Sequence, residues 1–110
     1  MADRASELRS IPIVLNGAGT TLLIAPEVGY RVSVAALFLS GDANSHVTFL
    51  DTAGNLLDVY FGALYPFVVP EMTGGLLSTG DGLGLSITVV AGTNIAGRLV
   101  YRMSPNSVRY

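Results

Sequence analysis

The stretch Leu83-Gly84-Leu85-Ser86-Ile87-Thr88-Val89 alternates strictly between apolar residues and small or polar ones. Successive side chains of a β-strand point to opposite faces of its sheet, so this period of two predicts a strand with one buried face. The last long stretch of the chain alternates in the same way. Its apolar face comprises Ile95, Leu99, Tyr101 and Met103, and its other face comprises Ala96, Arg98, Val100 and Arg102.

The rest of the chain predicts further strands and no long helix. Short runs of β-branched and aromatic residues are separated by Gly, Asn and Asp, which favour turns. Only residues 2–8 are compatible with a helical turn. The turn Gly80-Asp81-Gly82 is expected to close a hairpin, and Gly84 to let a neighbouring backbone or ring approach. We expect strands at 11–15, 20–25, 30–40, 46–50, 56–61, 66–69, 76–78, 83–90 and 95–103.

This pattern of about eight to nine strands predicts an all-β fold, a two-sheet antiparallel sandwich. Long strands with short connections favour the jelly-roll type over the immunoglobulin type, whose Cys and Trp signature is missing because the chain has neither residue. At 110 residues the chain forms one domain. We expect the sandwich at 11–103, an N-terminal arm at 1–10 and a C-terminal arm at 104–110, because Pro105 lacks the N–H that a strand needs.

The composition predicts a protein that associates with copies of itself. Hydrophobic residues make up 50% of the chain and charged residues 13%, against a usual charged share of about 25%. A monomer of this composition would expose large apolar patches, which soluble monomers avoid. The six basic residues are all arginine and are scattered, so no nucleic-acid partner is expected. The longest apolar run, 34–39, is too short for a membrane span, so no membrane partner is expected.

The expected strand at 30–40 carries the most specific prediction of an interface. Its even-numbered positions are apolar from Tyr30 on, whereas its odd-numbered positions begin polar and end apolar. A strand that is apolar on both faces at one end is expected to be covered on both faces there. From this pattern and from apolar positions elsewhere, we expect subunit contacts at Leu37, Leu39, Tyr60, Tyr65 and Val100.

The chain lacks the residue patterns of catalytic and metal sites. His46 is the only histidine, and we expect it to face solvent, on the opposite side of its strand from the core. The glycine-rich segment 74–84 runs into a strand and the chain has no lysine, so it does not match a phosphate-binding loop. Asp51 and Asp58 bracket a predicted hairpin, which favours turn-flanking roles over a glycosidase pair. We therefore expect no enzyme activity, no cofactor and no metal.

The segment 60–67 is the densest aromatic region of the chain. We expect Phe61 and Phe67 to fill the core and Tyr60 and Tyr65 to cover an interface, because tyrosine is enriched at interfaces. The same two tyrosines could instead stack on a sugar, so carbohydrate binding is the alternative.

Several phrases of the sequence together resemble a known family. Thr20-Thr-Leu-Leu-Ile-Ala-Pro26 leads through Gly29-Tyr-Arg-Val-Ser-Val34 into the long strand, and Gly80-Asp-Gly-Leu-Gly-Leu-Ser-Ile-Thr-Val89 precedes Gly97-Arg-Leu-Val-Tyr-Arg102. Over residues 11–103 this succession resembles small virion proteins of tailed bacteriophages, especially capsid decoration (cement) proteins of jelly-roll type.

The resemblance implies a homotrimer on the outer capsid surface that stabilises the lattice of the major capsid protein. Arms at the two ends of the chain would reach neighbouring subunits or the capsid, and the candidate contact residues are Arg4, Arg9, Arg109 and Tyr110. Related sandwiches also occur in phage tails and baseplates. The alternative function is therefore a tail, baseplate or adsorption module that binds carbohydrate.

Overall fold

The fold is described by a computed structural model that covers residues 7–70, 75–92 and 94–105. Within these ranges the chain forms nine strands, one at each predicted place, and none of the described residues is helical. No helix in this part of the chain has the length and apolar character of a membrane span. The strands are β1 Arg9–Asn16, β2 Gly19–Ile24, β3 Tyr30–Gly41, β4 Ser45–Asp51, β5 Gly54–Phe61, β6 Phe67–Val69, β7 Leu77–Ser78, β8 Leu85–Ala91 and β9 Asn94–Pro105.

The strands form two antiparallel sheets that pack face to face. Sheet A has the order β1-β9-β3-β6, and the short strand β7 also pairs with β3. Sheet B has the order β2-β8-β4-β5. The chain passes from one sheet to the other at nearly every connection, which gives the strand order of a jelly roll. The predicted all-β, two-sheet sandwich is confirmed.

Alternation along the strands places the core between the two sheets. In β8 the predicted inward positions Leu85, Ile87 and Val89 are buried, and the residues between them are not. The predicted inward residues of β9 are buried as well: Ile95, Leu99, Tyr101 and Met103. Among the described residues, Phe49 of β4 is the largest side chain that is fully buried.

A β-bulge in β3 changes which of its positions point inward. The register of β3 against β9 shifts between Val34 and Ala36, so Ala35 is an extra residue on β3. Before the bulge the even-numbered Val32 and Val34 are buried, and after it the odd-numbered residues are. The buried residues before and after the bulge therefore all lie on the inner face of sheet A, although in the sequence the apolar positions seem to lie on both faces of the strand.

The predicted role of Leu37 and Leu39 as subunit contacts is wrong. Leu37 is 2% exposed and Leu39 is 0% exposed, and both belong to the core of their own chain. The bulge turns both side chains into the core, so their apolar character requires no neighbour on the outer face of the strand. Phe38, between them, points to the outer face of sheet A instead and is 42% exposed.

The segment at Gly80-Asp81-Gly82 is a turn but not a hairpin. The N–H of Leu83 donates to the carbonyl of Gly80 at 3.1 Å, and Gly82 has a φ of 75°, which favours glycine. The strands on either side lie in different sheets, so the turn is a corner between them. The close approach expected at Gly84 is confirmed, because a Cβ there would overlap the carbonyl oxygen of Ile24.

Asp51 ties this corner to the end of β4. Its carboxylate accepts hydrogen bonds from the N–H groups of Ala53 at 2.8 Å and Gly54 at 3.1 Å, within its own turn. It also accepts one from Gly80 at 2.8 Å. Asp51 is only 7% exposed, so it has the turn-flanking role expected from the sequence and joins two distant turns.

The paired strands extend further toward both termini than the sequence indicated. Arg9 and Ser10 belong to β1, where Arg9 pairs with Tyr101, and β9 continues to Pro105, which pairs with Tyr30. Proline fits at the last position of a strand, where the loss of one N–H has the smallest effect. Arg9 is therefore a strand residue and its assignment to a free arm is wrong. Arg4, Arg109 and Tyr110 lie outside the described residues.

Candidate functional site

A row of polar side chains crosses the outer face of sheet B. The strand registers place Thr20, Thr88, Thr48 and Asp58 side by side, one from each strand. The hydroxyls of Thr20 and Thr88 are hydrogen-bonded at 2.7 Å, and the hydroxyl of Thr48 donates to Oδ1 of Asp58 at 2.6 Å. Neighbouring side chains cover Thr48, which is 6% exposed.

His46 and Tyr60 form an aromatic stack beside this row. They are paired across β4 and β5, with ring centroids 4.1 Å apart and planes inclined by 15°. Nε2 of His46 donates to Oδ1 of Asp58 at 3.2 Å. The side chain of His46 lies on the opposite face from the core, as expected, but it is only 21% exposed. Tyr60 is 70% exposed.

Hydrogen bonding lowers the pKa of the Asp58 carboxyl below its ordinary value. The hydroxyl of Thr48 makes the largest contribution and His46 the next, because both donate to the ionised form. Asp58 is therefore a stable carboxylate acceptor at neutral and mildly acidic pH.

The geometry of this cluster suits binding better than proton transfer. The hydroxyl of Thr48 donates to Asp58 and not to His46, so His46 does not act on it as the base of a nucleophile would. Asp51, the other candidate acid, is held by three backbone N–H groups. Among the described residues, no group of three or more His, Cys, Asp or Glu side chains could hold a metal ion. The cluster instead fixes the position of the Tyr60 ring.

A cleft of about 380 Å³ opens beside Tyr60, at the end of β5. The backbone folds back at Gly62 and Tyr65, whose N–H and carbonyl groups are hydrogen-bonded to each other at 3.1 and 3.2 Å. Tyr65 is 68% exposed. The cleft is lined by Asn44, Ser45, Tyr60, Phe61 and Tyr65.

The outer face of sheet A carries a second candidate surface, apolar and basic. One row across its four strands consists of Pro12, Arg98, Phe38 and Val68, which the registers place side by side. Phe38 is 42% exposed and Val68 is 58% exposed. The same face includes the half-buried Val100 and Ala36 in the next row, and the exposed Val14 on β1.

The charges on this outer face come mainly from arginines. Arg98 and Arg102 lie on β9 and Arg31 on β3, at positions that alternate with buried ones. Arg98 donates to the hydroxyl of Ser10 at 3.0 Å, and Arg31 forms an ion pair with Asp81 at 3.6 Å. Half of the six basic residues of the chain therefore share one face.

The structure separates the remaining predicted contact residues into two places. Val100 lies on the outer face of sheet A, whereas Tyr60 and Tyr65 flank one cleft at the end of sheet B. A single flat interface cannot contain all three. Phe38, Val68, Asn44 and Thr48 belong to these surfaces and were missed, because only the bulge and the strand registers place them there.

Comparisons of the chain with protein-family models, with curated proteins and with solved structures find no match in any of the three.

Proposed function

We propose that the protein is a non-enzymatic virion structural protein, a decoration protein that forms homotrimers on the outer surface of a phage head. In this role it stabilises the lattice of the major capsid protein. The observation that supports the proposal is the outer face of sheet A, where apolar side chains and arginines form one continuous surface across four strands.

The size of this face suits a subunit interface. The two twelve-residue strands β3 and β9 are about 40 Å long and four strands are about 19 Å wide. With its shorter edge strands, the face offers about 700 Å², of the order of the ~800 Å² per partner in a standard interface, and in a trimer the contacts with the two neighbours share this area. Burying the exposed parts of Phe38 and Val68 would remove apolar surface from water, which favours association.

The charges favour a three-fold arrangement over a face-to-face pair. In a two-fold pair whose axis passes near the centre of the sheet, Arg98 of one copy would lie close to Arg98 of the other, and like charges across an interface are unfavourable. In a cyclic trimer, neighbours contact each other through different parts of the face. Phe38 and Val68 can then be covered by a different part of the neighbour's face, so that Arg98 does not meet its own copy.

The presence of several identical contacts in each trimer explains how such a small protein would strengthen a capsid. Each trimer would present three copies of its capsid-binding contacts, and simultaneous engagement raises the apparent affinity without strong single contacts. Arg4, Arg109 and Tyr110 stay in the proposal as candidate capsid contacts. Arg9 stays a candidate capsid contact too, although it lies at the start of the edge strand β1 and not in an arm.

Sedimentation-velocity ultracentrifugation at micromolar concentration tests the assembly. We expect a trimer for the wild-type chain and a monomer for the double variant Phe38→Glu, Val68→Glu. The matched control is Leu22→Glu, which places one acid at an exposed leucine on the outer face of sheet B. We expect this control to stay trimeric. A monomeric wild-type chain, or a double variant that stays trimeric, would contradict the proposal.

Co-sedimentation with purified capsids that lack the protein tests the proposed binding to the phage head. We expect the wild-type trimer to pellet with capsids and to raise the temperature at which they break. The monomeric double variant should bind much more weakly, because it loses multivalency. Wild-type trimers that do not bind these capsids would contradict the placement on the head.

A further inference from the structure

The ring of Tyr60 is exposed and yet held in place. One of its faces stacks on His46, which donates to Asp58, and Asp58 in turn accepts from the covered hydroxyl of Thr48. With one face on His46, a ring that is still 70% exposed has its other face open to solvent. A ligand that packs on this ring would not have to order it first, and such preorganisation raises affinity.

The close approach of Asn44 and Tyr65 at the cleft depends on the glycine at position 62. A Cβ at Gly62 would lie 2.7 Å from Oδ1 of Asn44 and 3.3 Å from the ring of Tyr65. A residue with a side chain here would push this amide, and to a smaller extent this ring, away from the backbone. Gly62 thus brings a hydrogen-bonding amide and an aromatic ring together at the cleft, which Tyr60 also lines.

We propose that this cleft binds one pyranose ring of a saccharide, between Tyr60 and Tyr65, with Asn44 as its main polar contact. The C–H groups on one side of a pyranose carry a slight positive charge and pack on the negative face of an aromatic ring. An amide donates and accepts, so Asn44 can bond to neighbouring hydroxyls of the sugar. Ligand sites commonly combine apolar walls with a few placed polar groups in this way.

The other residues of the cluster act through Tyr60. His46, Asp58 and Thr48 are positioning residues that hold the ring, and Gly62 positions Asn44 and Tyr65. The Asp58 carboxylate accepts hydrogen bonds from Thr48 and His46, and these bonds lower its pKa. The proposal does not depend on the trimer, because none of the residues that line the cleft belongs to the outer face of sheet A.

Two-dimensional NMR of the ¹⁵N-labelled full chain tests the proposal. The probes are methyl pyranosides of glucose, galactose, mannose, rhamnose and N-acetylglucosamine, each added to millimolar concentration. We expect at least one sugar to give saturable shifts centred on residues 44–46 and 60–65. If no probe gives saturable shifts at these residues, the proposal is wrong.

Variants distinguish a cluster that binds sugar from one that only stabilises the fold. We expect Tyr60→Ala to weaken binding by about tenfold or more and Tyr60→Phe to keep it within about twofold, because the ring provides the contact. Gly62→Ala should also weaken binding while the NMR spectrum stays folded. The control Leu22→Ala changes an exposed residue of the same sheet outside the cleft and should bind as the wild type does.

Two further outcomes would overturn the proposal. One is undiminished sugar binding by Tyr60→Ala. The other is a set of shifts at residues 60–65 that follows protein concentration and not sugar concentration, which would make the cleft a contact with a second copy. Failure of the trimer is a separate result, because it is read from the sedimentation of the Phe38→Glu, Val68→Glu variant.

Discussion

Truncating Leu39 and Phe38 separately tests the bulge in β3, on which both the core and the outer face of sheet A depend. Leu39 is 0% exposed on a central strand between β9 and β6. Leu39→Ala removes a fully buried side chain and leaves a cavity, which costs about 3–4 kcal/mol of unfolding free energy. Phe38 is 42% exposed. Phe38→Ala leaves no internal cavity and should cost about 1 kcal/mol.

The assay is urea unfolding followed by far-ultraviolet circular dichroism. Each variant is measured at two low protein concentrations, so that a concentration-independent midpoint identifies folding and not association. We expect Leu39→Ala to be at least about 2 kcal/mol less stable than Phe38→Ala, with similar m values. Equal losses, or a larger loss for Phe38→Ala, would refute the bulge and with it the assignment of Phe38 to the outer face.

Three other predictions follow from single contacts. A Cβ at Gly97 would overlap the backbone carbonyl of Phe38, so Gly97→Ala should lose about 3 kcal/mol or more in the same urea assay; a stable variant would contradict this packing. Asp51→Ala removes the acceptor of three backbone N–H groups and should cost about 3 kcal/mol, whereas a loss within error would show that the two turns hold without it. The pKa of Asp58 is lowered by its hydrogen bonds with Thr48 and His46, so these bonds stabilise the folded state fully above the ordinary carboxyl pKa of 3.8. This stabilisation is lost as the pH falls through the lower pKa of the folded state. Carboxyl NMR should show Asp58 titrating below 3.8, and Thr48→Val should move its pKa upward; an unchanged pKa in that variant would contradict the role of the hydroxyl.

Alternation and turn chemistry made most of the fold predictable. The period of two in β8 and β9 places their buried residues correctly, and the glycine at position 84 signals a close approach that the structure contains. The bulge at Ala35 was not predictable, because the change that it leaves in the period, apolar odd-numbered positions after polar ones, is equally expected of a strand that is covered on both faces. Without the bulge, Leu37 and Leu39 would point to the outer face of sheet A and would need a neighbouring subunit to cover them.

The candidate site was predictable only in part, since it depends on strand register. Tyr60 and Tyr65 stand out in the sequence because aromatic residues are dense there. Thr48 joins them only because β4 and β5 pair so that it lies opposite Asp58, and a register shift between Phe49 and Leu50 contributes to this alignment. Asn44 comes close to Gly62 through folding alone, so no local pattern could have indicated it.

Solvent accessibility of two valines in the assembled protein tests the central claim most directly. Val68 on sheet A and Val90 on β8 of sheet B are 58% and 55% exposed in a single subunit, so they form a matched pair. With methyl labelling and a soluble paramagnetic agent, a sheet A interface predicts that the methyl signals of Val68 are shielded while those of Val90 broaden strongly. Equal broadening of both valines would show that the outer face of sheet A stays open to solvent and would contradict the proposed assembly.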